Sequence, residues 1–391
     1  MAVREVSIVA SSKTTSSVKT AGSRPLDNAR RAKADEFYTQ LDDISEELRH
    51  YRDQLRGKII LCNCDDPFES NFFKYFAANF NRLSLKKLIA TSYDGSPIAG
   101  HGALFPEYDE GNGKRRKPKA LAVTLDHVTD EDGDGAADVT DVELFLKRNK
   151  AARKSLQADG NYPGGDFRSA ECIALLEEAD IVVTNPPFSL FREYVAQLVE
   201  HGKKFLIIGN KNAIAYKDVF SLIQTNRLWI GTTRMGVDLL FDVPTDYAEA
   251  MIASGKAGSN YRIVDGLVKG RSPSVWFTNM DNPKRHEEIP LDQPYSPGAY
   301  PTYHNYPAIE VGKVSDIPAD YMGEMGVPVT FLDKYNPEQF EIVGSNMTVG
   351  KPMSEMAPKG SFLQGGPAFY LANGDGTYRR LYERIVIRRR G

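Results

Sequence analysis

The sequence has little cysteine. Its 391 residues include three, Cys62, Cys64 and Cys172. An odd and sparse set argues against a disulfide framework and indicates a reducing compartment. A structural zinc site is also disfavoured, because Cys62 and Cys64 lack the second pair of ligands that such a site needs.

The sequence also has no long apolar run. No stretch of about 18 consecutive apolar residues occurs, which excludes a helix that spans a bilayer. The apolar core near the N-terminus, Val6 to Ala10, has five residues, which is too short for a secretory signal. We therefore expect a cytoplasmic protein with no membrane partner.

Charge of either sign is not in excess. Lys and Arg number 49 and Asp and Glu number 52, which gives a net charge of −3. This near-neutral total hides three basic segments: residues 1–34, the run KRRKPK at 114–119, and the stretch from 379 onward, with six arginines and one glutamate. Each could follow a phosphate backbone, and the alternative is solvated surface and a soluble tail.

Apolar residues make up 41% of the chain, enough for a large core, and the periodicity indicates an α/β fold. Near-continuous apolar runs predict strands at 58–63, 86–93, 121–128, 180–185 and 203–210. Amphipathic patterns predict helices at 40–56, 70–80, 141–149, 170–179 and 189–202. Such alternation is typical of a parallel sheet covered on both faces. After about 228 the runs at 228–233, 237–244 and 274–280 resemble antiparallel strands, which should finish this sheet.

Composition also divides the chain. Residues 1–34 are rich in Ser, Thr, Lys and Arg without apolar periodicity, and we expect a flexible arm. An α/β domain should follow over 35–285, with an insertion at about 95–160 that begins in a Gly/Pro/charge-rich loop. A smaller region rich in proline and tyrosine should occupy 286–391.

The segment from Ile181 to Phe188 is the most informative in the chain. A buried strand ends in Asn185, two prolines and the aromatic Phe188. Ligands bind at the carboxyl ends of strands in open parallel sheets. Each proline fixes its own φ and restrains the residue before it, so the corner should be rigid. A purely structural turn is the alternative.

This corner suits a planar amine. The Asn185 side-chain carbonyl and the Pro186 main-chain carbonyl can each accept one N–H bond from an NH₂ group. Two acceptors favour pyramidalisation of the nitrogen, which draws its lone pair out of the ring. A ring stacked on Phe188 would hold the amine towards an electrophile, so positioning and electrostatics would do the chemistry.

The corner resembles the catalytic motif of class I, S-adenosylmethionine-dependent amino-methyltransferases. From about Asp35 to about Phe340 the chain resembles the EcoRI-type adenine-specific DNA methyltransferase family. Besides the corner and Ser189 to Arg192, the resemblance rests on four segments: Asp35 to Thr39, Cys64 to Phe72, Gly165 to Ser169, and Phe331 to Pro337.

The resemblance implies a Rossmann-like class I sheet, mostly parallel with an antiparallel end. It implies transfer of a methyl group from S-adenosylmethionine to N6 of an adenine flipped out of duplex DNA. Residues 35–285 would be the catalytic domain and residues 286–391 the DNA-recognition region. It implies catalytic positions at Asn185, Pro186, Pro187 and Phe188.

Three segments match the family's cofactor motifs. Phe37, Tyr38 and Thr39 match the motif that closes the methionine end. Asp65, Asp66, Pro67 and Phe68 match the first-strand motif. Asp166 and Phe167 match the motif that binds the cofactor's adenine. The usual acid for the ribose is unclear, and Asp94 is the nearest candidate.

These assignments have structural alternatives. Thr39 could cap the helix that follows, Asp166 could simply end a loop, and Asp65 and Asp66 could cap the next helix. Residues 69–72 also depart from methyltransferases at large, because they contain no glycine. The EcoRI-type family shares this departure.

A second pattern lies in the predicted insertion. Asp130, Asp132, Asp134, Asp138 and Asp141 occupy positions 1, 3, 5, 9 and 12 of a 12-residue calcium loop, with Gly135 at position 6. An aspartate stands at position 12 where glutamate is usual. We expect either a Ca²⁺ site that shapes the insertion or a solvated acidic loop.

Several basic and polar residues are candidates for DNA contact. They are Lys114, Arg115, Arg116, Lys211, Asn212, Lys284 and Arg285. A loop cap is the alternative for Lys211 and Asn212. The group Tyr295, Tyr300, Tyr303, His304 and Tyr306 could stack bases or form a small tyrosine-rich core.

Three functions remain open from the sequence. DNA adenine-N6 methylation leads, in a bacterium or a phage-infected host cell, with a cognate restriction endonuclease acting separately. The second is amino methylation of RNA or of protein glutamine. The third is non-catalytic DNA binding on the same scaffold. The target sequence and the oligomeric state are not predicted.

Overall fold

The computed structural model describes residues 38–64, 70–93, 120–135, 139–237, 239–243, 245–253, 255, 257–258 and 261–391. Several predictions lie outside these residues. They concern the N-terminal arm, Phe37, Asp65, Asp66, Pro67, Phe68, Asp94, Lys114, Arg115, Arg116 and Asp138.

The described residues form helices and strands in alternation through the first two thirds of the chain. The first strands are β1 (Tyr38–Thr39), β2 (Ile59–Asn63), β3 (Lys87–Thr91), β4 (Leu121–Leu125), β5 (Arg153–Ser155), β6 (Ile181–Thr184), β7 (Lys204–Asn210), β8 (Trp229–Ile230) and β9 (Leu239–Asp242). The others are β10 (Tyr261–Val264), β11 (Leu267–Ser272), β12 (Ser274–Thr278), β13 (Ile309–Glu310), β14 (Met325–Pro328), β15 (Phe340–Ser345), β16 (Tyr370–Ala372), β17 (Tyr378–Arg380) and β18 (Arg384–Arg389). The α-helices are α1 (Leu41–Leu48), α2 (Arg52–Leu55), α3 (Asn71–Ala78), α4 (Val139–Arg148), α5 (Ala170–Glu178), α6 (Phe191–Glu200), α7 (Lys217–Gln224) and α8 (Thr245–Ala253).

An eight-stranded sheet organises the fold, in the order β5-β4-β3-β2-β6-β7-β12-β8. Its inner strands β3, β2, β6 and β7 are parallel. On one side β12 pairs antiparallel to β7, and β8 pairs antiparallel to β12 as the edge strand. The predicted α/β sheet with an antiparallel end is therefore confirmed. The chain leaves β2 towards β3 and returns to β6 on the other side, so the strand order reverses between β2 and β6. Such a reversal opens a crevice at the carboxyl edge of the sheet, where ligands bind in this kind of fold.

Two strands differ from the expected arrangement. The strand predicted at 121–128 is present as β4, but it runs antiparallel to β3. A short apolar strand has the same pattern in either direction, and only its hydrogen bonds decide which one it takes. The strand predicted at 237–244 is present as β9, but it joins a separate sheet with the order β1-β9-β11-β10.

Successive residues of the inner strands point to opposite faces of the sheet and pack into two separate hydrophobic cores. In β2, Ile59 and Leu61 face the core that packs under α5, α6 and α7. Ile60 and Cys62 face the core built with α1, α3 and α4. All five residues of β2 are buried, which explains why this strand is apolar throughout.

The C-terminal region adds a four-stranded sheet, β13-β14-β18-β15, and the hairpin of β16 and β17. Its residues Phe340 and Ile387 belong to the same core cluster as Phe220 of α7. The basic segment from 379 is predicted to follow a phosphate backbone or to form solvated surface and a soluble tail, and Arg379 and Arg380 are exposed. Its residues 384–389 instead form the inner strand β18, in which Ile385, Val386 and Ile387 are buried.

The arginines and tyrosines of this region have structural partners. Arg384 forms an ion pair with Glu310 at 2.7 Å, and both side chains are largely buried. Tyr303 is buried and stacks on Phe369 with 4.4 Å between ring centroids. Tyr300 is buried as well. These two tyrosines therefore fit the small-core alternative rather than base stacking.

Helix α1 contains a carboxyl group that should make stability depend on pH. Burial, with repulsion from Asp42, raises the pKa of Asp43 to about 6, against a hydrogen bond from the Leu240 backbone that lowers it. Because folding raises the pKa of Asp43, the protonated carboxyl contributes its full stability to the fold below the unfolded-state pKa. That contribution is lost as the pH rises through about 6. Asp43→Asn should therefore stabilise the protein by roughly 1 kcal/mol at pH 7, after allowance for solvent screening, and by almost nothing near pH 4. Urea unfolding at both pH values measures this, and an equal effect at the two would contradict it.

Among the described residues no helix is long and apolar enough to cross a membrane.

Candidate active site

The Asn-Pro-Pro-Phe corner lies where the sequence pattern places it. All four residues of β6 are buried, and Asn185 follows directly at the carboxyl end of the strand. Pro186 is buried, whereas Asn185 and Phe188 are half-buried. A short 3-10 helix, Phe188–Leu190, then leads into α6. The corner therefore sits at the edge where the strand order reverses. Asn185 and Phe188 are each half-buried as whole residues, and the Asn185 side-chain oxygen is itself buried.

A buried cluster joins this corner to the neighbouring strand. Thr184 donates its hydroxyl hydrogen to the main-chain carbonyl of Asn63, the last residue of β2. Tyr194 of α6 donates its hydroxyl hydrogen to Asn63 Oδ1. All three residues are at most 2% exposed. The carboxyl ends of β2 and β6 are thus held together immediately before Asn185. Asn63 and Tyr194 are not among the site residues predicted from the sequence, although a polar residue that ends an apolar strand, as Asn63 does, is a usable signal.

The same cluster reaches the segment predicted to bind the cofactor's adenine. Phe167 is buried and meets Tyr194 edge to face, with 4.9 Å between ring centroids. Its carbonyl accepts a hydrogen bond from Gln197 of α6 at 3.0 Å. A continuous set of contacts therefore runs from the Asn185 corner through Asn63 and Tyr194 to Phe167.

Close backbone packing holds this segment against β3. Gly165 has a φ of +76°, and a Cβ there would lie 2.0 Å from the carbonyl oxygen of Ser92, just beyond β3. No larger residue fits without moving the backbone. The tight approach brings Asp166 to the carboxyl edge of the sheet.

Asp166 is already engaged by a neighbouring cation. Its carboxylate accepts hydrogen bonds from the Arg168 side chain at 3.0 and 2.9 Å, and Arg168 also pairs with Glu193 at 2.9 Å. These bonds raise the pKa of Arg168 above its usual range. The Ser169 backbone N–H donates to the Asp166 carbonyl at 2.9 Å, which also fits the loop-ending alternative. Contact between Asp166 and a cofactor stays a prediction.

Tyr38 and Thr39 form the short strand β1, paired with β9. Asn71, the first residue of α3, donates its side-chain N–H to the Thr39 carbonyl at 2.7 Å. The capping alternative for Thr39 is wrong, because Gln40 holds the N-cap position of α1. The Thr39 hydroxyl is buried and has no hydrogen-bond partner within the described residues. It therefore offers a polar group beside the start of α3 that no described residue engages.

A carboxylate that the sequence analysis missed anchors a loop at the same edge. Glu47 of α1 is fully buried and accepts five hydrogen bonds. They come from Tyr51 Oη, the backbone N–H of Thr232 and of Thr233, and the hydroxyls of both threonines, at 2.6–3.0 Å. The one signal in the sequence is a charged residue on the apolar stripe of a helix, between Ile44 and Leu48.

Two predicted DNA contacts also hold this loop, residues 231–237. Lys211 donates to the Met235 carbonyl, and Lys284 donates to the Thr232 carbonyl. Asp333 accepts from the Met235 backbone N–H at 3.0 and 3.1 Å. Burial raises the pKa of Asp333 despite the nearby cations. Both lysines therefore support the loop, and their contact with DNA stays a prediction.

The remaining two predicted DNA contacts, Asn212 and Arg285, differ in their exposure. Asn212 is exposed, and the cap of the local turn is Asn210, whose side chain accepts from the Asn212 backbone N–H at 2.9 Å. Arg285 is 7% exposed, and its guanidinium lies 3.7 Å from the centre of the Trp229 ring. Burial lowers the pKa of Arg285. Arg285 thus packs on an aromatic ring inside the protein rather than facing a phosphate.

The acidic loop brings three of its predicted ligands together. Asp130, Asp132 and Asp134 are exposed, and their carboxylates lie within 4.8 Å of one another. Asp141 is 1% exposed and accepts backbone N–H bonds from Glu131 and Asp132 at 2.6 and 3.1 Å. The pKa of Asp132 is raised, because desolvation and repulsion between the carboxylates outweigh the hydrogen bond from the Asp134 backbone. This geometry suits both the calcium and the solvated-loop alternative, so calcium binding stays a prediction.

If the loop binds calcium, millimolar Ca²⁺ should raise the melting temperature by about 2–5 °C relative to EDTA, since a ligand that binds only the folded state stabilises it. Asp130→Asn should remove that shift while leaving the melt in EDTA nearly unchanged. Differential scanning fluorimetry measures both. Equal melts of the unmodified protein in Ca²⁺ and EDTA would support the solvated loop.

The fold and the corner define a class. A parallel sheet that reverses its order between β2 and β6, with Asn-Pro-Pro-Phe at the carboxyl end of β6, is the arrangement of class I amino-methyltransferases. The family model described as "Adenine-specific methyltransferase EcoRI" matches residues 25–390. The chain belongs to this family.

Named relatives agree with that assignment. Type II methyltransferase M.EcoRI of Escherichia coli is 42% identical over 333 residues, which cover 83% of this chain and 90% of the relative. Type II methyltransferase M.MpnI of Mycoplasma pneumoniae is 35% identical over 321 residues, 81% of this chain and 84% of the relative. No solved structure matches. The protein is a DNA adenine methyltransferase, and the leading prediction from the sequence is confirmed against its two alternatives.

Proposed function

We propose that this chain transfers a methyl group from S-adenosylmethionine to N6 of an adenine flipped out of duplex DNA. The observation that carries the proposal is the position of Asn185 and Phe188. They are half-buried at the end of a fully buried strand, beside the crevice where the strand order reverses. A base in a duplex cannot reach such a crevice, so it must leave the stack at a cost on the order of a few kcal/mol.

The described residues fit the cofactor. The Thr39 hydroxyl is buried, and no residue that the structure describes hydrogen-bonds to it. Gly165 is packed so closely on Ser92 that Asp166 comes to the carboxyl edge. We propose that Tyr38 and Thr39 hold the methionine end and that Asp166 and Phe167 hold the adenine end. Phe37, Asp65, Asp66, Pro67, Phe68 and Asp94 remain further candidates. When bound, S-adenosylmethionine would supply a methyl group from its sulfonium sulfur and would leave as the neutral thioether S-adenosylhomocysteine. The adenine amine that takes up the methyl group would release one proton to solvent.

Three residues would prepare the amine. The Asn185 Oδ1 and Pro186 carbonyl oxygens accept its two hydrogens, which draws the nitrogen lone pair out of conjugation with the ring. Phe188 supports the ring by stacking. The bonds from Thr184 and Tyr194 to Asn63 fix the strand end on which the acceptors stand. Because these dipoles are oriented before the base arrives, they need little reorganisation during the reaction.

Loss of the ring at Phe188 should weaken the hold on the flipped base. Phe188→Ala should lower kcat/KM by about tenfold to a hundredfold, since stacking of a base on an aromatic side chain contributes about 1–3 kcal/mol. Phe188→Tyr keeps the ring and should stay within about threefold of the unmodified protein. Steady-state methylation of a duplex substrate measures both. An alanine variant as active as the tyrosine variant would count against stacking.

The wider setting is also a proposal. Since the named relatives are type II methyltransferases, we propose that the chain modifies DNA in a bacterial or phage-infected cytoplasm, separately from a cognate restriction endonuclease. Residues 35–285 would carry the chemistry, and residues 286–391 would help to recognise the target.

Methylome sequencing tests the proposed function. DNA from cells that express the protein should contain N6-methyladenine at one recurrent motif, and cells that express Asn185→Ala should lack it. No new mark, in spite of S-adenosylmethionine binding measured by calorimetry, would refute DNA as the substrate. A mark that persists with Asn185→Ala would refute the role of the corner.

A further inference from the structure

Strands β10 and β11 form a hairpin whose tip is apolar and exposed. Asp265 and Gly266 join the strands with φ values of +50° and +77°, as tight two-residue hairpin turns require. The residues flanking this turn are Ile263, Val264 and Leu267, which are 65%, 37% and 62% exposed. Together these three residues form the apolar tip.

The apolar tip is not the inner face of a sheet. Ile263 stands opposite Val268, and Val264 stands opposite Leu267. Since successive side chains of a strand point to opposite faces, apolar groups are exposed on both faces of the hairpin. Packing against a core on one face cannot account for this arrangement.

Cations lie one row behind the apolar tip. Arg262 and Lys269 stand opposite each other, and Arg271 follows two residues later. Arg262 is exposed and Lys269 is half-buried. Asp265 is the single acidic residue of the hairpin, residues 261–272. The hairpin therefore combines an apolar end with a basic stem, which is complementary to a polyanion that has an apolar interior.

The hairpin rises from the edge of the sheet that carries the candidate active site. β11 is followed by Pro273 and then by β12, whose first residue Ser274 pairs with Asn210 at the carboxyl end of β7. β7 lies beside β6 in the sheet, and Asn185 is the residue directly after β6. Leu267 and Ser272 are the two ends of β11, so the tip lies about 17 Å from this base at about 3.4 Å per residue. That length spans several base-pair steps of duplex DNA.

We propose that the apolar tip is a wedge that enters the base stack of the target duplex beside the adenine that is turned out. The inference rests on the proposed function, because the wedge would act on a duplex from which the target adenine is turned out. Turning a base out breaks one base pair and leaves a space in the stack. Leucine and isoleucine are among the side chains that DNA-binding proteins insert between base steps. The basic stem then faces the phosphates that pass the hairpin.

A second copy of the chain is the competing occupant, because an exposed apolar hairpin can also pair with itself. In a symmetric contact the same surface meets itself, so the cations of one stem would face the cations of the other. Like charges that face each other oppose such a contact, whereas DNA supplies the opposite charge. The charge of the basic stem therefore favours DNA as the occupant.

The test uses two duplexes that contain the recognition motif found by methylome sequencing. In one the target adenine is paired, and in the other an abasic site stands opposite it. The wedge variant is Ile263→Ser with Leu267→Ser, in the full-length protein. The matched control is Ile252→Ser, because Ile252 of α8 is also apolar and 52% exposed. Single-turnover methylation of both duplexes, the melting temperature and the sedimentation coefficient are measured for each protein.

The wedge variant should methylate the paired duplex at least about tenfold more slowly, yet stay within about twofold of the unmodified protein on the abasic duplex, where no pair has to be broken. The control should match the unmodified protein on both, and the melts should agree. The wedge would be overturned if the wedge variant methylated the paired duplex as fast as the unmodified protein does. It would also be overturned if the variant lost the same factor in rate on both duplexes. A change from dimer to monomer would assign the tip to a second copy and overturn it too. An unmodified protein that methylates neither duplex would overturn the proposed function, and the inference with it.

Discussion

Replacing Asn185 by alanine is expected to lower the single-turnover rate of methylation by about a hundredfold to a thousandfold. Its side-chain carbonyl is proposed to accept one amine hydrogen as the lone pair leaves the ring, and removal of one preorganised group of this kind costs about 3–4 kcal/mol of transition-state stabilisation. S-adenosylmethionine binding should change little, because none of the residues proposed to hold the cofactor belongs to the corner at 185–188. Rapid quench with a labelled cofactor measures the rate, and calorimetry measures the binding.

Two further variants sharpen this test. Asn185→Gln keeps the amide but moves it by one methylene, so it should lose nearly as much activity if position matters. Asn161→Ala removes an exposed amide outside the corner and should leave the rate unchanged. A glutamine variant at full activity would contradict a positioned acceptor. Loss of cofactor binding in the alanine variant would indicate a structural role instead.

The second large effect concerns stability. Glu47→Ala is expected to lower the free energy of unfolding by about 3–5 kcal/mol, because it leaves the N–H and hydroxyl groups of the buried Thr232 and the half-buried Thr233 without their acceptor. Glu47→Gln retains one acceptor oxygen and should lose less. Urea unfolding monitored by circular dichroism measures the change.

The matched control is the preceding residue. Glu46 pairs with Arg49 on the surface, and both side chains are more than half exposed. Glu46→Ala should change the free energy of unfolding by no more than about 0.5 kcal/mol. A Glu47→Ala variant as stable as Glu46→Ala would show that the loop 231–237 does not depend on the buried carboxylate.

The two expected effects concern one edge of the sheet. Asn185 stands where β6 ends, and the loop held by Glu47 follows β8 at the same edge, since β8 and β7 are both antiparallel to β12. One group is proposed to act on the base, and the other keeps the neighbouring loop in place. Measuring activity and stability for both variants separates chemistry from support.

The sequence was sufficient wherever local pattern carries the information. The apolar runs of β2, β3, β6 and β7 and the helices between them could be placed to within a few residues, because strands buried on both faces are apolar throughout. The corner at 185–188 could be singled out because its residue types follow such a strand directly. The family could be recognised from an ordered set of short motifs.

The tertiary structure decided what depends on partners distant in the chain. β4 runs antiparallel and β9 pairs with β1, since strand direction and pairing depend on hydrogen bonds that the strand's own residues do not encode. Arg285 is a basic residue, but it is buried with its guanidinium over the Trp229 ring. The arginines of β18 flank Ile385, Val386 and Ile387, which are buried in an inner strand. Residue type predicts which groups can meet DNA, but only packing determines which of them face outward.

The sequence by itself therefore determined the α/β class, the inner strands and the residues able to activate an amine. Only the tertiary structure showed that Asn63 and Tyr194 connect the corner to Phe167, that Glu47 anchors the loop 231–237, and that an apolar hairpin rises from the same edge. The physical reason is the range of the interactions. Periodicity and turn chemistry act over a few residues, whereas these contacts join groups far apart in the chain, and they exist only once the fold has formed.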